Sequence, residues 1–314
     1  MSTEHRSRVG LTRRALLKGV GAVGLLAASG LARSIAAPGV LHHKPIPSSG
    51  QSIPVIGMGT WITFHVGDGP WARNQRVEVL QRFFDRGGGM VDSSPMYGSA
   101  EEVIGYCLDR THSDDKLFSA TKVWTYGRQA GIDEMEWSRR LWGVPRFDLM
   151  QVHNLLDWEA HLETLKAWKA EGRVRYIGVT TSHGRRHQEL ERILAREPLD
   201  FVQLTYNVLD REVERRLLPL AAERGIAAIA NRPFRTGGLF RHVGSHPLPD
   251  WAAEIDCANW AQFFLRFIIS HPAITCAIPA TSQVDHMDQN MCALRGRLPD
   301  ADLRERMSRY VAAI

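Results

Sequence analysis

The sequence predicts a (β/α)8 TIM barrel with a short N-terminal β-hairpin and an extra C-terminal helix. Three observations carry this. Eight short apolar runs alternate with eight helical patterns, and the units follow one another too closely to divide into two domains. The fingerprint of a doubly wound dinucleotide-binding sheet, G-x-G-x-x-G opening a helix, is missing after the first run, where Thr60-Trp61 follows Gly57-Met58-Gly59.

The elements follow in order. Residues 42–52, rich in Pro, Ser and His, read as a linker into a small hairpin. Strands are expected at 55–60, 90–93, 117–122, 148–153, 174–180, 201–205, 227–230 and 274–278. Helices are expected at 75–86, 100–109, 132–142, 157–171, 187–197, 212–224, 259–270 and 284–294, with the extra one at 301–312. Gly87-Gly88-Gly89, Gly143 with Pro145, Gly172 and Gly225 stop four of them. The excursion 237–257, with Gly237-Gly238, Gly244 and Pro247, is long enough for a lid over a ligand, and its length equally suits a passive surface loop.

Residues 1–36 read as a twin-arginine signal peptide. Thr12-Arg13-Arg14-Ala15-Leu16-Leu17-Lys18 precedes an uncharged Gly, Ala and Leu run over 19–32, and Ser34-Ile35-Ala36 offers a small-x-small cleavage site. Cleavage after Ala36 avoids placing Pro38 directly behind the cut. The run falls short of the roughly 20 residues a membrane span needs, so no stable membrane insertion is expected. The expected route is export to the periplasm or beyond the cell, with the twin-arginine machinery as partner. Residues 37–52 then form the linker and start of the hairpin, and 53–314 a single barrel domain.

The same segment accounts for the charge. The chain's formal net charge is +5, and Arg6, Arg8, Arg13, Arg14, Lys18 and Arg33 against Glu4 supply all of that excess. The remainder is neutral, which gives no support to nucleic-acid binding. Cys107, Cys257, Cys276 and Cys292 form neither a C-x-x-C nor a zinc spacing, and Cys107 and Cys276 stand in apolar contexts that suit small buried thiols. No metal site is expected, because no H-x-H or second clustered carboxylate accompanies His153.

The chemistry gathers at three successive strand ends. Met90-Val91-Asp92-Ser93-Ser94-Pro95-Met96-Tyr97-Gly98 presents Asp92 and Tyr97, the next run ends at Lys122, and the one after at His153. In a barrel these ends open on one mouth. Carbonyl reduction needs a hydride at carbon and a proton at oxygen, and a phenol of reference pKa about 10 is a poor acid until a neighbouring cation favours its phenolate. The assignment is Tyr97 as general acid, Lys122 lowering its pKa, Asp92 fixing and keeping Lys122 charged, and His153 orienting the carbonyl oxygen. Trp61, Trp124 and His153 would wall an apolar substrate pocket. The compact loop after Lys122 suggests an open, shallow pocket for small aldehydes or ketones.

These residues, with Thr121-Lys122-Val123-Trp124, Gln151-Val152-His153-Asn154, Gly178-Val179-Thr180-Thr181, Gln203 with Tyr206-Asn207, and Ile278-Pro279 with Asn290, occur in a family order. From about residue 45 to about 310 the chain resembles the aldo-keto reductases, whose signature is D-x-x-x-x-Y-G, a Lys ending the next strand and a His ending the one after. The resemblance implies the same four catalytic roles and a nicotinamide cofactor. It puts Gly59, Thr60, Trp61 and Asp92 among the cofactor contacts, and the carboxamide against Thr180, Thr181 and Gln203, where the family usually shows Ser, Asn and Gln. After strand seven, where the family often stacks a Tyr on the ring, this chain has Asn231-Arg232-Pro233-Phe234. At the adenosine end, after the matching Pro279, Ala280-Thr281 and His286 stand where the family has a Lys-Ser pair and a later Arg, while Gln289 and Asn290 still suit an adenine. With no fixed cation there for a 2′-phosphate, NADP(H) ranks only narrowly above NAD(H), with Arg232 or Arg235 as substitutes. The competing expectation is an exported nucleotide-binding sensor or interaction subunit with this fold and little turnover.

Overall fold

The computed structural model describes residues 39–111, 113 and 115–314; the expected signal 1–36 and the first linker residues, 37–38, lie outside the described residues. Strands β1 (His43–Pro45) and β2 (Ser52–Pro54) pair antiparallel, Lys44 opposite Ile53. The Lys44 ammonium donates to the carbonyls of Ile269, His271 and Ile274 at 2.6–2.8 Å, which ties the hairpin under the barrel.

Eight parallel strands follow in consecutive order: β3 (Met58–Gly59), β4 (Met90–Asp92), β5 (Phe118–Val123), β6 (Phe147–Val152), β7 (Val174–Thr180), β8 (Phe201–Thr205), β9 (Ala227–Asn231) and β10 (Ile274–Ala277). The ring closes where Gly57 N–H donates to Ala277 O, Ala277 N–H to Val55 O and Gly59 N–H to Pro279 O, at 2.8–3.0 Å. Such close approach explains the glycines, since a Cβ on Gly59 would stand 2.9 Å from the Ile278 carbonyl. The first strand is expected over 55–60 but pairs in a regular ladder only at Met58–Gly59, with a lone bridge at Ile56.

Ten helices surround the strands among the described residues: α1 (Pro70–Asp85), α2 (Ala100–Thr111), α3 (Arg128–Trp142), α4 (Trp158–Ala170), α5 (His187–Arg196), α6 (Leu217–Glu223), α7 (Gly238–Val243), α8 (Trp260–Ile269), α9 (Val284–Met291) and α10 (Ala301–Ala313). The expected helix 212–224 is broken into a 3₁₀ turn at Glu212–Arg215 and α6, with Arg216 non-helical at φ −145°. Pro219 gives the reason: its ring would clash with the carbonyl four residues back, at Arg215. The excursion 237–257 contains α7 and a 3₁₀ helix at Asp250–Ile255.

The barrel is plugged from below. Ile46 and Ile53 of the hairpin region pack into the cluster of inward-facing Met90, Phe118, Tyr176 and Phe201, all buried. Cys107 and Cys276 are buried as expected, and all four thiols are free. With its lower end filled, the barrel presents its polar groups at the opposite, C-terminal mouth. No helix among the described residues is long and apolar enough to cross a membrane.

Candidate active site

At the floor of that mouth the Lys122 ammonium lies 2.6 Å from Asp92 Oδ2 and 2.6 Å from the Ser93 carbonyl, with Lys122 wholly buried. Register brings them together, because Asp92 pairs with Ala120 across β4 and β5, and Lys122 follows two residues further along the same inward face. The second Asp92 oxygen accepts from the side-chain amides of Gln203 (2.9 Å) and Gln151 (3.1 Å).

Tyr97 reaches the same place by a different local rule. Pro95 opens a 3₁₀ turn, Pro95–Tyr97, and Ser94 caps it by accepting the Met96 N–H at 3.2 Å. The turn lays the Tyr97 ring 5.2 Å from the Lys122 nitrogen and edge-on to the His153 imidazole, 5.7 Å between centroids. His153 is held from both sides. Its Nδ1 lies 2.8 Å from Ser94 Oγ, and Arg186 bonds the carbonyls of Asn154 and Leu155, which sit at positive φ just after it.

Burial sets the charge states. Desolvation drives the His153 imidazole well below its ordinary value and Lys122 adds to this, so the ring is neutral at pH 7. Burial alone would depress the Lys122 ammonium, but Asp92 and Tyr97 outweigh it and leave the group raised. For Tyr97 the expected sign is reversed. Burial raises the phenol above its ordinary value, and Lys122 opposes that rise without overcoming it.

A cavity of about 320 Å³ stands over this floor. Of the residues expected to bind cofactor or substrate, Gly59, Thr60, Trp61, Asp92, Tyr97, His153, Thr180, Thr181, Gln203, Asn231, Arg232, Pro233 and Phe234 line it. Trp124 does not; it stands at the rim, 41% exposed, with its ring 6.5 Å from that of His153. Pro279, Thr281, His286, Gln289 and Asn290 also lie outside the lining. Thr281 is occupied in accepting the Gln283 N–H ahead of α9, Asn290 is buried, and His286 and Gln289 are exposed on the helix surface.

Several groups escaped the sequence reading. Gln151 carries an inward alternation signal, two residues before His153 on the same strand face. Ser94 carries an N-cap signal ahead of Pro95. Ile62, Thr63, Met96, Asn154, Ser182, His183, Thr236 and Gly237 also line the cavity, and as loop residues they carry no periodic signal.

The walls fit a nicotinamide. Thr181 Oγ1 is buried without a partner on the cavity lining, and Thr180 Oγ1 accepts the Asn154 N–H while its own proton stays available. Asn231, in the place of a stacking ring, donates to the Thr181 carbonyl at 2.9 Å and accepts from Thr205 Oγ1 at 2.7 Å. Arg235 pairs with Asp210, whereas Arg232, at φ 52° ahead of Pro233, has no carboxylate within 4.0 Å among the described residues. No grouping of three or more His, Cys, Asp or Glu suited to a metal occurs among the described residues.

Known proteins resemble this chain in sequence and fold. The chain is 28% identical over 271 residues to the methylglyoxal reductase YeaE of Escherichia coli, covering 84% of this chain and 93% of that protein. Its fold superposes on an aldo-keto reductase from Klebsiella pneumoniae in complex with NADPH, with TM-score 0.67, 26% identity and 83% and 92% of the two chains covered. It also superposes on the thermostable aldo-keto reductase Tm1743, with TM-score 0.71, 25% identity and 86% and 99% covered. The sequence profile of the Aldo/keto reductase family matches residues 55–308, and the chain belongs to that family.

Proposed function

We propose that this oxidoreductase interconverts small aldehydes or ketones and their alcohols, using NAD(P)(H) and Tyr97 as the proton-transferring group. The observation that carries the reading is the wholly buried Lys122–Asp92 pair directly behind the Tyr97 ring at the floor of the cavity. A lone buried pair is weak evidence for stability, so its place beneath a phenol at a barrel mouth points to function.

A nicotinamide, when bound, supplies or accepts the hydride. Thr180, Thr181 and Gln203 would hold its carboxamide. Tyr97 gives its proton to the carbonyl oxygen, and Lys122 stabilises the phenolate left behind. Asp92 keeps the ammonium charged and fixed, while Gln151 and Gln203 fill its second oxygen. The neutral His153 donates a hydrogen bond to the same carbonyl oxygen. Trp61, Ile62, Met96 and Trp124 give the approach an apolar character suited to small carbonyl compounds.

We rank NADP(H) narrowly above NAD(H), with the unpaired Arg232 as the available cation, and the NADPH complex of the Klebsiella relative supports that order. We also read residues 1–36 as a twin-arginine signal that exports the protein carrying its cofactor. Fluorescence titration with NADPH and NADH, followed by aldehyde-dependent NADPH oxidation with and without a chelator, tests the activity. Saturable oxidation unaffected by chelation is expected; tight cofactor binding with no aldehyde-dependent oxidation would favour the sensor reading.

A further inference from the structure

We propose that Ser94 is a positioning residue that holds His153 in the Nε2–H tautomer, so that the imidazole enters the cavity as a hydrogen-bond donor. The inference rests on the reductase reading for its purpose but on the hydrogen-bond geometry for its substance.

Ser94 is wholly buried, and two groups approach its hydroxyl oxygen. The Met96 N–H donates to it at 3.2 Å, and His153 Nδ1 stands 2.8 Å away. The Met96 contact can run in one direction only, because a backbone amide is a donor. The His153 contact has two possible directions. If Nδ1 carried the proton, it would donate to Ser94 Oγ, and the serine's own proton would be left in a buried site with no acceptor among the described residues. If Nδ1 is bare, Ser94 donates to it and every group in the chain Met96 N–H, Ser94 Oγ, His153 Nδ1 is satisfied. The second arrangement avoids a buried unsatisfied donor and is the one the site favours.

The consequence falls on the other ring nitrogen. Nε2 has no partner among the described residues, and His153 lines the cavity. A neutral ring bare at Nδ1 bears its proton at Nε2 and can donate it to a carbonyl oxygen. The opposite tautomer would offer a lone pair to that oxygen and repel it. The Tyr97 and Trp124 rings and the Lys122 cation stand near the ring, and no group among the described residues hydrogen-bonds Nε2, so its proton is left for the substrate. Ser94 also caps the turn that ends at Tyr97, so one hydroxyl sets both groups that meet the carbonyl oxygen.

The test is ¹⁵N NMR of the histidine rings at neutral pH, in the full chain without its signal, for the wild type and Ser94→Ala, with His153→Gln to assign the resonances. In the wild type Nδ1 of His153 is expected at a bare, pyridine-type shift and Nε2 at a protonated, pyrrole-type shift. In Ser94→Ala the ring becomes a mixture of tautomers, and kcat for aldehyde reduction falls about tenfold, the worth of roughly one hydrogen bond, while NADPH affinity is kept. A protonated Nδ1 in the wild type would overturn the proposal, whether or not the variant folds. So would a variant that keeps the single Nε2–H form and full kcat. The wild-type spectrum reads the tautomer even if no aldehyde turns over, so failure of the reductase reading would show separately.

Discussion

Lys122 and Asp92 make a 2.6 Å ion pair with 0% and 2% of their side chains exposed. A pair so placed costs more to break than it contributes whole, because removing one partner strands the other away from water. Replacing Lys122 by Met is therefore expected to lower the unfolding free energy by about 3–5 kcal/mol. Adding Asp92→Asn should recover part of that loss, since Gln151 and Gln203 already bond the remaining oxygen. Urea unfolding of the single and double variants measures both, and a single-variant loss below about 1 kcal/mol, the range of exposed pairs, would contradict the burial argument.

Beside the share that the buried His153 contributes, part of the acid sensitivity should trace by the same linkage to His271, below the barrel. Burial, followed by the Arg304 charge, holds its imidazole down to about 4, and its Nδ1 accepts the Ala273 N–H at 3.2 Å. The unfolded chain binds a proton at this residue near pH 6.5. Between these values the unfolded state takes up a proton that the folded state does not, so stability present above pH 6.5 is lost as pH falls toward 4. His271→Asn, whose amide oxygen can still accept the N–H, should show a smaller loss between about pH 7 and about pH 5 in urea titrations. An equal loss in both proteins would place the acid sensitivity elsewhere.

At the cofactor end, Arg232→Leu should weaken NADP(H) by about tenfold or more and NAD(H) less, because a free guanidinium at the cavity wall binds phosphate oxygens through charge-assisted hydrogen bonds. Fluorescence titration of both nucleotides decides this. Equal effects on the two would assign Arg232 to a phosphate they share, and no effect would remove it from the cofactor site.

Changing Arg13 and Arg14 together to Lys should retain the protein, uncleaved, in the cytoplasm, while the unaltered chain appears outside with an N-terminus at Ala37. Cell fractionation with N-terminal sequencing tests it, and unchanged export of the double variant would refute the twin-arginine route.

Legibility in the sequence followed the physics of each element. Strands β7 and β8 occupy the expected residues, Val174–Thr180 and Phe201–Thr205, because short runs dominated by β-branched and aromatic residues between two helical patterns read as strands. The helix expected at 212–224 failed at Pro219, a local rule visible in the chain but outvoted by the apolar pattern around it. The meeting of Asp92, Lys122 and His153 was legible because strand ends, counted in order, map onto one rim of a barrel, and Tyr97 joins them through the Pro95 turn. The sign of the Tyr97 shift was not legible, since it depends on how much water the folded site removes from the phenol. Trp124, expected to wall the pocket, is absent from the cavity lining and stands 6.5 Å from the His153 ring between centroids, a matter of loop path that no periodicity encodes. The adenosine-end residues on α9 were carried by resemblance alone, and in this chain they stand apart from the cavity.

The central claim is that the Tyr97 phenol transfers the proton in carbonyl reduction, and the most direct measurement is steady-state aldehyde reduction by Tyr97→Phe beside NADPH affinity on the same preparation. The account predicts a loss of at least about 100-fold in kcat with NADPH binding preserved. A variant that reduces aldehydes as fast as the wild type would contradict it.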